Sequence, residues 1–136
     1  MGDVHQPLHA STRVSSTDPN RDSGGNLVKL SCTSCELHAF WDDLLGTNND
    51  LKTVVKAARK LQAAGPPLAA KSDEKDWIAE SFMESQQTVY ASPIAAGNGP
   101  FTLTASYKKK NAGKLAKVRV ELAEARLANL LNTELK

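Results

Sequence analysis

The 136-residue sequence has no apolar run approaching the roughly 18 residues that a membrane-spanning helix needs. Met1 is followed by polar and charged residues where a signal peptide would carry an apolar stretch. No membrane span and no export signal are therefore expected from these residues. Excess charge is also small: 17 Lys and Arg against 15 Asp and Glu give a net charge of +2, too weak a field to draw in nucleic acid without a local site. Alternating apolar and polar residues are confined to "FTLTAS" at 101–106, which leaves little material for a sheet. Cysteine is limited to Cys32 and Cys35. Their C-x-x-C spacing is compatible with a local disulfide, half a zinc site, a redox pair or two idle thiols, and composition does not choose among them.

What remains is ordinary material for one soluble domain: 40% hydrophobic and 24% charged residues in a chain long enough for a single core. Residues 10–26, "ASTRVSSTDPNRDSGGN", are rich in turn formers and read as a long loop. With the stretch up to residue 36, this loop separates two histidine-bearing segments. "ELHAFWDDLLG" then places Leu37, Phe40, Trp41, Leu44 and Leu45 at helical spacing, with Gly46 as a stop. A second helix is expected over about 49–64, with Leu51, Val54, Val55, Ala58 and Leu61 facing inward and Gly65-Pro66-Pro67 ending it. A third is expected from Ser72 as cap, with Trp77, Phe82, Val89 and Tyr90 on its apolar side. The last is expected over about 104–135, with a stripe of Leu115, Val118, Leu122 and Ala125 continued by Leu127, Leu130 and Leu131. The class is all-α.

Chemistry concentrates at the start, in "GDVHQPLH" at residues 2–9. Asp3, His9, His38 and Asp42 are imidazole and carboxylate side chains of the kind that hold a borderline metal such as zinc. His38 and Asp42 are four apart, so one helix face carries both, although such a pair alone is also an ordinary surface hydrogen bond. His5 is four residues before His9, but Pro7 between them breaks the helix that would align the two rings. Lys108, Lys109 and Lys110 read as a solvated face, and Phe40 and Trp41 as core rather than a platform for bases.

"GDVHQPLH", "DSGGN" at 22–26 and "LHAFWD" at 37–42, in that order and spacing, resemble three consecutive motifs of the zinc-dependent single-strand nucleases of moulds and plants, the S-one/P-one type. "WIAES" at 77–81 and "ARLANLLN" at 125–132 resemble that family's last two helices, so the likeness covers nearly the whole chain. The resemblance implies a helical fold of the zinc phospholipase C and nuclease type. It also implies a three-zinc cluster that hydrolyses phosphodiester bonds in single-stranded DNA or RNA and removes 3′-phosphates from nucleotides. Such proteins are usually secreted or periplasmic. Carried over by position, Asp3 matches the carboxylate that bridges two zinc ions at which the attacking hydroxide forms. His9, His38 and Asp42 match the protein ligands of the third zinc. His5 matches no ligand and is expected beside the ligands or facing solvent.

The chain departs from the family pattern upstream, because the histidine four residues before the motif aspartate would fall before Met1. The expectation is that these residues correspond to the carboxy-terminal part of a nuclease. It would have one complete zinc site, Asp3 as an isolated half-site, and an apolar surface on the His38 helix and the last helix made to meet a missing amino-terminal half. Two other readings compete. One is a zinc phospholipase C, whose last ligand is usually Glu where this chain has Asp42. The other is an inactive helical remnant binding one zinc or none.

Overall fold

The computed structural model describes residues 1–14, 16, 21–32 and 35–135. Its principal helices are α1 (Leu37–Asp42), α2 (Leu51–Ala58), α3 (Pro66–Ala69), α4 (Glu74–Glu84) and α5 (Gly113–Glu134). Extended pairing among the described residues is limited to two isolated bridges, Lys29 with Glu36 and Leu30 with Phe101. The all-α expectation holds, and the alternating run at 101–106 supplies one bridging residue rather than a strand. Of the loop expected over 10–36, residues 15, 17–20, 33 and 34 lie outside the described residues.

α1 forms where the apolar spacing places it. Leu37 and Trp41, one turn apart, are buried, while Phe40 and Leu44 pack against the same cluster. The helix runs into a 3-10 turn, Asp43–Leu45, that stops at Gly46, where φ is +106°. Leu8, Val28, Leu30, Val89, Ile94, Tyr107 and Ala112 complete the core. A hydrogen-bond chain crosses it: the Trp41 indole N–H donates to the Tyr107 hydroxyl (3.2 Å), which donates to the Val89 carbonyl (2.6 Å). The buried polar atoms of Trp41 and Tyr107 are thereby satisfied, so these two rings contribute their apolar area without a desolvation penalty. Phe40 and Trp41 are core, as expected.

The second helix departs from expectation. α2 is short and capped by Asp50, whose carboxylate accepts from the Thr53 amide (2.9 Å). Its apolar side chains do not face inward: Leu51, Val54 and Val55 are all exposed. Amphipathic spacing identifies a face but not what covers it. α2 ends at Ala58 rather than at the expected Gly65-Pro66-Pro67, which instead opens the next helix, because proline suits the first helical positions. The cap of α4 is Asp73, whose carboxylate accepts from the Lys75 amide (2.8 Å), in place of the expected Ser72. Trp77 and Val89 are buried and Phe82 is exposed.

The final helix also differs in register. Helical backbone begins at residue 105, passes through a π-helical segment (Tyr107–Ala112) and settles into α5. Lys108, Lys109 and Lys110 are exposed on that segment. The buried stripe consists of Ala112, Arg119, Leu122 and Arg126, whereas Val118, Leu127, Leu130 and Leu131 are exposed. Between the first residues, α1 and α5 lies a cavity of about 530 Å³ lined by Met1, Trp41, Leu45, Val120 and Leu127, beside His9 and Asp42.

Arg119 and Arg126 sit inside because Glu80 of α4 meets both. Arg126 Nη2 donates to Oε1 and Oε2 of Glu80 (2.9 and 2.8 Å), Arg119 Nη1 donates to Oε2 (3.2 Å), and Lys71 Nζ stands 3.2 Å from Oε1. His5 is buried against the same cluster, which overturns its solvent-facing alternative. Its Nδ1–H donates to the Met1 carbonyl (2.9 Å) and its Nε2 accepts from Arg126 Nη1 (2.8 Å). Burial lowers the His5 pKa and keeps the ring neutral.

Burial alone would raise the Glu80 pKa, but the hydrogen bonds from Arg126, Lys71 and Arg119 outweigh it and hold the carboxyl below its ordinary 4.5. A depressed carboxylate contributes stability above its unfolded pKa and loses it as pH falls through the folded value. Urea unfolding should therefore show stability declining below about pH 4.5. Glu80→Gln should lose about 3 kcal/mol at pH 7 and show a shallower acid dependence. Parallel pH profiles for the two proteins would contradict the assignment.

Candidate metal centre

Two short turns carry the first candidate ligands. Asp3–His5 and Pro7–Ala10 are separate 3-10 segments, with Gln6 extended between them and Pro7 opening the second. The proline break expected from sequence sends His5 into the interior and leaves His9 on the opposite side, facing α1. Gln6 couples the turn to that helix: its Oε1 accepts from the Leu8 amide (2.5 Å) and its Nε2 donates to Asp42 Oδ1 (3.0 Å). His38 and Asp42 project from one face of α1, with His38 Nε2 3.5 Å from Asp42 Oδ2.

His9, His38 and Asp42 each bring a ligand atom to one place, all within 4.8 Å of one another, and among the described residues they form the one such group of three or more. His9 Nε2 lies 3.2 Å from His38 Nε2 and 3.7 Å from Asp42 Oδ1, and the rings stack with centroids 5.0 Å apart. The other nitrogen of each ring is committed. His9 Nδ1 lies 2.8 Å from Asp3 Oδ1, and His38 Nδ1 lies 2.7 Å from the Gly24 carbonyl. Both partners are acceptors, so each neutral imidazole carries its proton on Nδ1 and turns a bare Nε2 lone pair inward. Two lone pairs facing one another with a carboxylate beside them, and no donor between the rings, repel one another, and a cation between them turns that repulsion into coordination. A tetrahedral ion with bonds near 2.0–2.1 Å separates its ligands by about 3.3 Å, close to the spacing of the two nitrogens.

"DSGGN" is the device that holds His38. Asp22 is buried and accepts from Thr12 Oγ1 (3.2 Å) and the Arg13 amide (2.8 Å), with Arg13 Nε 3.6 Å from its Oδ2. The Arg13 guanidinium donates to the carbonyls of Ala95 and Gly97 and lies over the Tyr90 ring. This anchors the turn in which Gly24 and Gly25 adopt φ of +62° and +84°. A Cβ on Gly24 would stand 2.8 Å from the Leu8 carbonyl oxygen. Glycine thus lets the Gly24 carbonyl reach the His38 ring, and the Gly25 carbonyl accepts from the His38 amide (3.3 Å). Gln6, Asp22 and Arg13 were not singled out from the sequence as support for the ligands; the signal was their place inside or beside the two motifs.

Of the residues expected at the site, His9, His38 and Asp42 come together, and Asp3 stands beside them on the outer nitrogen of His9, its carboxylate 83% exposed. Cys32 and Cys35 are joined in a disulfide just before α1, and while so joined neither serves as a metal ligand.

A family model described as S1/P1 nuclease matches residues 1–136. No curated protein and no solved structure matches the chain.

The hydrogen-bond pattern predicts an observable tautomer. Long-range 1H–15N spectra of metal-free protein at pH 8 should show His9 and His38 protonated at Nδ1. Gly24→Ala, strained at its positive φ and crowded against Leu8, should destabilise the fold by about 1–3 kcal/mol and disturb the His38 signal. An unchanged His38 tautomer in a folded Gly24→Ala protein would show that the Gly24 carbonyl does not orient the ring.

Proposed function

This chain belongs to the S1/P1 nuclease family, and from that premise we propose that it holds a zinc ion on His9, His38 and Asp42 in the service of phosphodiester hydrolysis in single-stranded DNA or RNA. The observation that carries the reading is the convergence of two bare Nε2 atoms at 3.2 Å with the Asp42 carboxylate beside them. Neutral imidazole with carboxylate is a zinc donor set, and three protein ligands leave a position for water or a phosphate oxygen. When bound there, zinc supplies a Lewis acid that stabilises charge on a phosphoryl oxygen and lowers the pKa of water.

The protein's part is orientation. Asp3 and the Gly24 carbonyl hold the two rings in the ligating tautomer, and such outer partners raise ligand basicity. Gln6 holds Asp42 Oδ1, leaving Oδ2 nearer His38. Asp3 matches the carboxylate that bridges the hydroxide-forming pair in the family. Among the described residues it has no second three-ligand group beside it. The attacking hydroxide would depend on ligands beyond this set, and the described residues are read as one complete zinc site with the Asp3 carboxylate beside it.

Metal analysis after dialysis should find about one zinc per chain, and none in His38→Ala or Asp42→Ala. The same protein should hydrolyse single-stranded DNA, RNA and 3′-mononucleotides only near background in added zinc. Retention of two or more zinc ions, or chelator-sensitive cleavage lost on Asp3→Ala, would overturn the single-site reading.

A further inference from the structure

The ligands do not explain why two arginines are buried beneath them. The side chains of Arg119 and Arg126 are 5% and 0% exposed, and both reach past Glu80 to the segment between the two turns. Arg119 Nε donates to the His5 carbonyl (3.1 Å) and its Nη2 donates to Ser81 Oγ (2.6 Å). Ser81 Oγ in turn donates to the Val4 carbonyl (2.6 Å). Arg126 Nη1 donates to His5 Nε2 (2.8 Å). The carbonyls of Val4 and His5 and the His5 ring are thus all occupied by groups on α4 and α5. Residues 4 and 5 directly follow Asp3 and lead through Gln6 into the turn that ends in His9 and Ala10.

We propose that Arg119 and Arg126 are positioning residues for the metal centre: by fixing the main chain at Val4 and His5, they set the two turns so that Asp3 meets His9 Nδ1 and His9 Nε2 faces His38 Nε2. The inference rests on His9, His38 and Asp42 being a metal site. Cohesion alone does not require these arginines, because apolar side chains of similar volume stabilise an interior equally well or better than a buried ion pair. What guanidinium groups add is direction. Each has donors in a rigid fork, and here the fork spans Glu80 and the main chain of the turns, a geometry that apolar packing does not impose. Turns of this length have no stability of their own, so their orientation must come from outside.

The test is cobalt(II) titration of the full 136-residue chain, followed by visible absorbance, alongside thermal unfolding of each metal-free protein. Arg119→Lys and Arg126→Lys keep the charge but lose the fork, and should weaken cobalt affinity about 10- to 100-fold, the range for residues that orient ligands. Ser81→Ala leaves Arg119 and Arg126 paired with Glu80 while removing the hydrogen bond to Val4; it should weaken cobalt binding in a protein that remains folded, and it decides the matter should the arginine variants unfold. Lys117→Ala, on the exposed face of α5, should bind as the unaltered protein does. A purely structural role would lower melting temperatures and leave the cobalt affinity of the folded variants unchanged, and that result overturns the inference while the metal site stands. Absence of cobalt binding by the unaltered protein would overturn the metal-site reading itself, and this inference with it.

Discussion

Glu80 is the carboxylate on which the arrangement depends. Two guanidinium groups drawn into a protein interior cost several kcal/mol each unless they are paired, and Glu80 pairs both while also meeting Lys71. That requirement fixes the separation of α4 and α5. It also leaves guanidinium donors pointing at the first residues of the chain, where they find the His5 carbonyl and ring. The turns at Asp3–His5 and Pro7–Ala10 lie across these helices because their polar groups are the ones that complete the pairing. The interior charge cluster and the candidate metal centre are two sides of one short segment.

The proposed ligands His9, His38 and Asp42, with Asp3 behind His9, sit on elements of three, four and six residues, none of which would persist in water alone. Their order comes from interactions each ligand does not itself make with metal: Asp3 on His9, Gly24 on His38, Gln6 on Asp42. The pair of buried Asp22 and half-buried Arg13 does for the Gly24 turn what Glu80 does for the first two turns. A site assembled from loops is then as well defined as one assembled on long helices, because every loop ends in a buried, charged anchor.

The helical class was legible in the near absence of alternating residues, whereas the grouping of His9 with His38 and Asp42 came from the resemblance of their motifs to the nuclease family, because His38 and Asp42 one turn apart read equally well as a surface pair. The burial pattern of the last helix was not. Arg119 and Arg126, two turns apart and in register with Ala112, occupy its inner face, and a reading that places apolar residues inside puts Val118 and Leu127 there instead. A charged residue recurring in register with buried positions is the signal that could have exposed this, and Glu80 within "WIAES" is its counterpart. The burial of His5 was not legible for a related reason: its ring meets Arg126, which is 121 positions away. In α2 the error ran the other way, since an apolar stripe shows that a helix can be covered and says nothing of whether these 136 residues supply the cover.

The exposed placement of α2 bears on how this chain can vary. From Gly46 to Gly65 no residue is fully buried, and none belongs to the core cluster. The segment is joined to the rest by contacts such as the Gln62 amide donating to Glu121 (2.8 Å). Glycine stands at both of its ends, and neither ligand geometry nor the charge cluster passes through it. Insertions, deletions and changes of composition are absorbed where the backbone is exposed and few bonds cross. Length differences between homologous chains can accumulate between Gly46 and Gly65 without moving His38, and a label or affinity sequence can be threaded there with the same freedom.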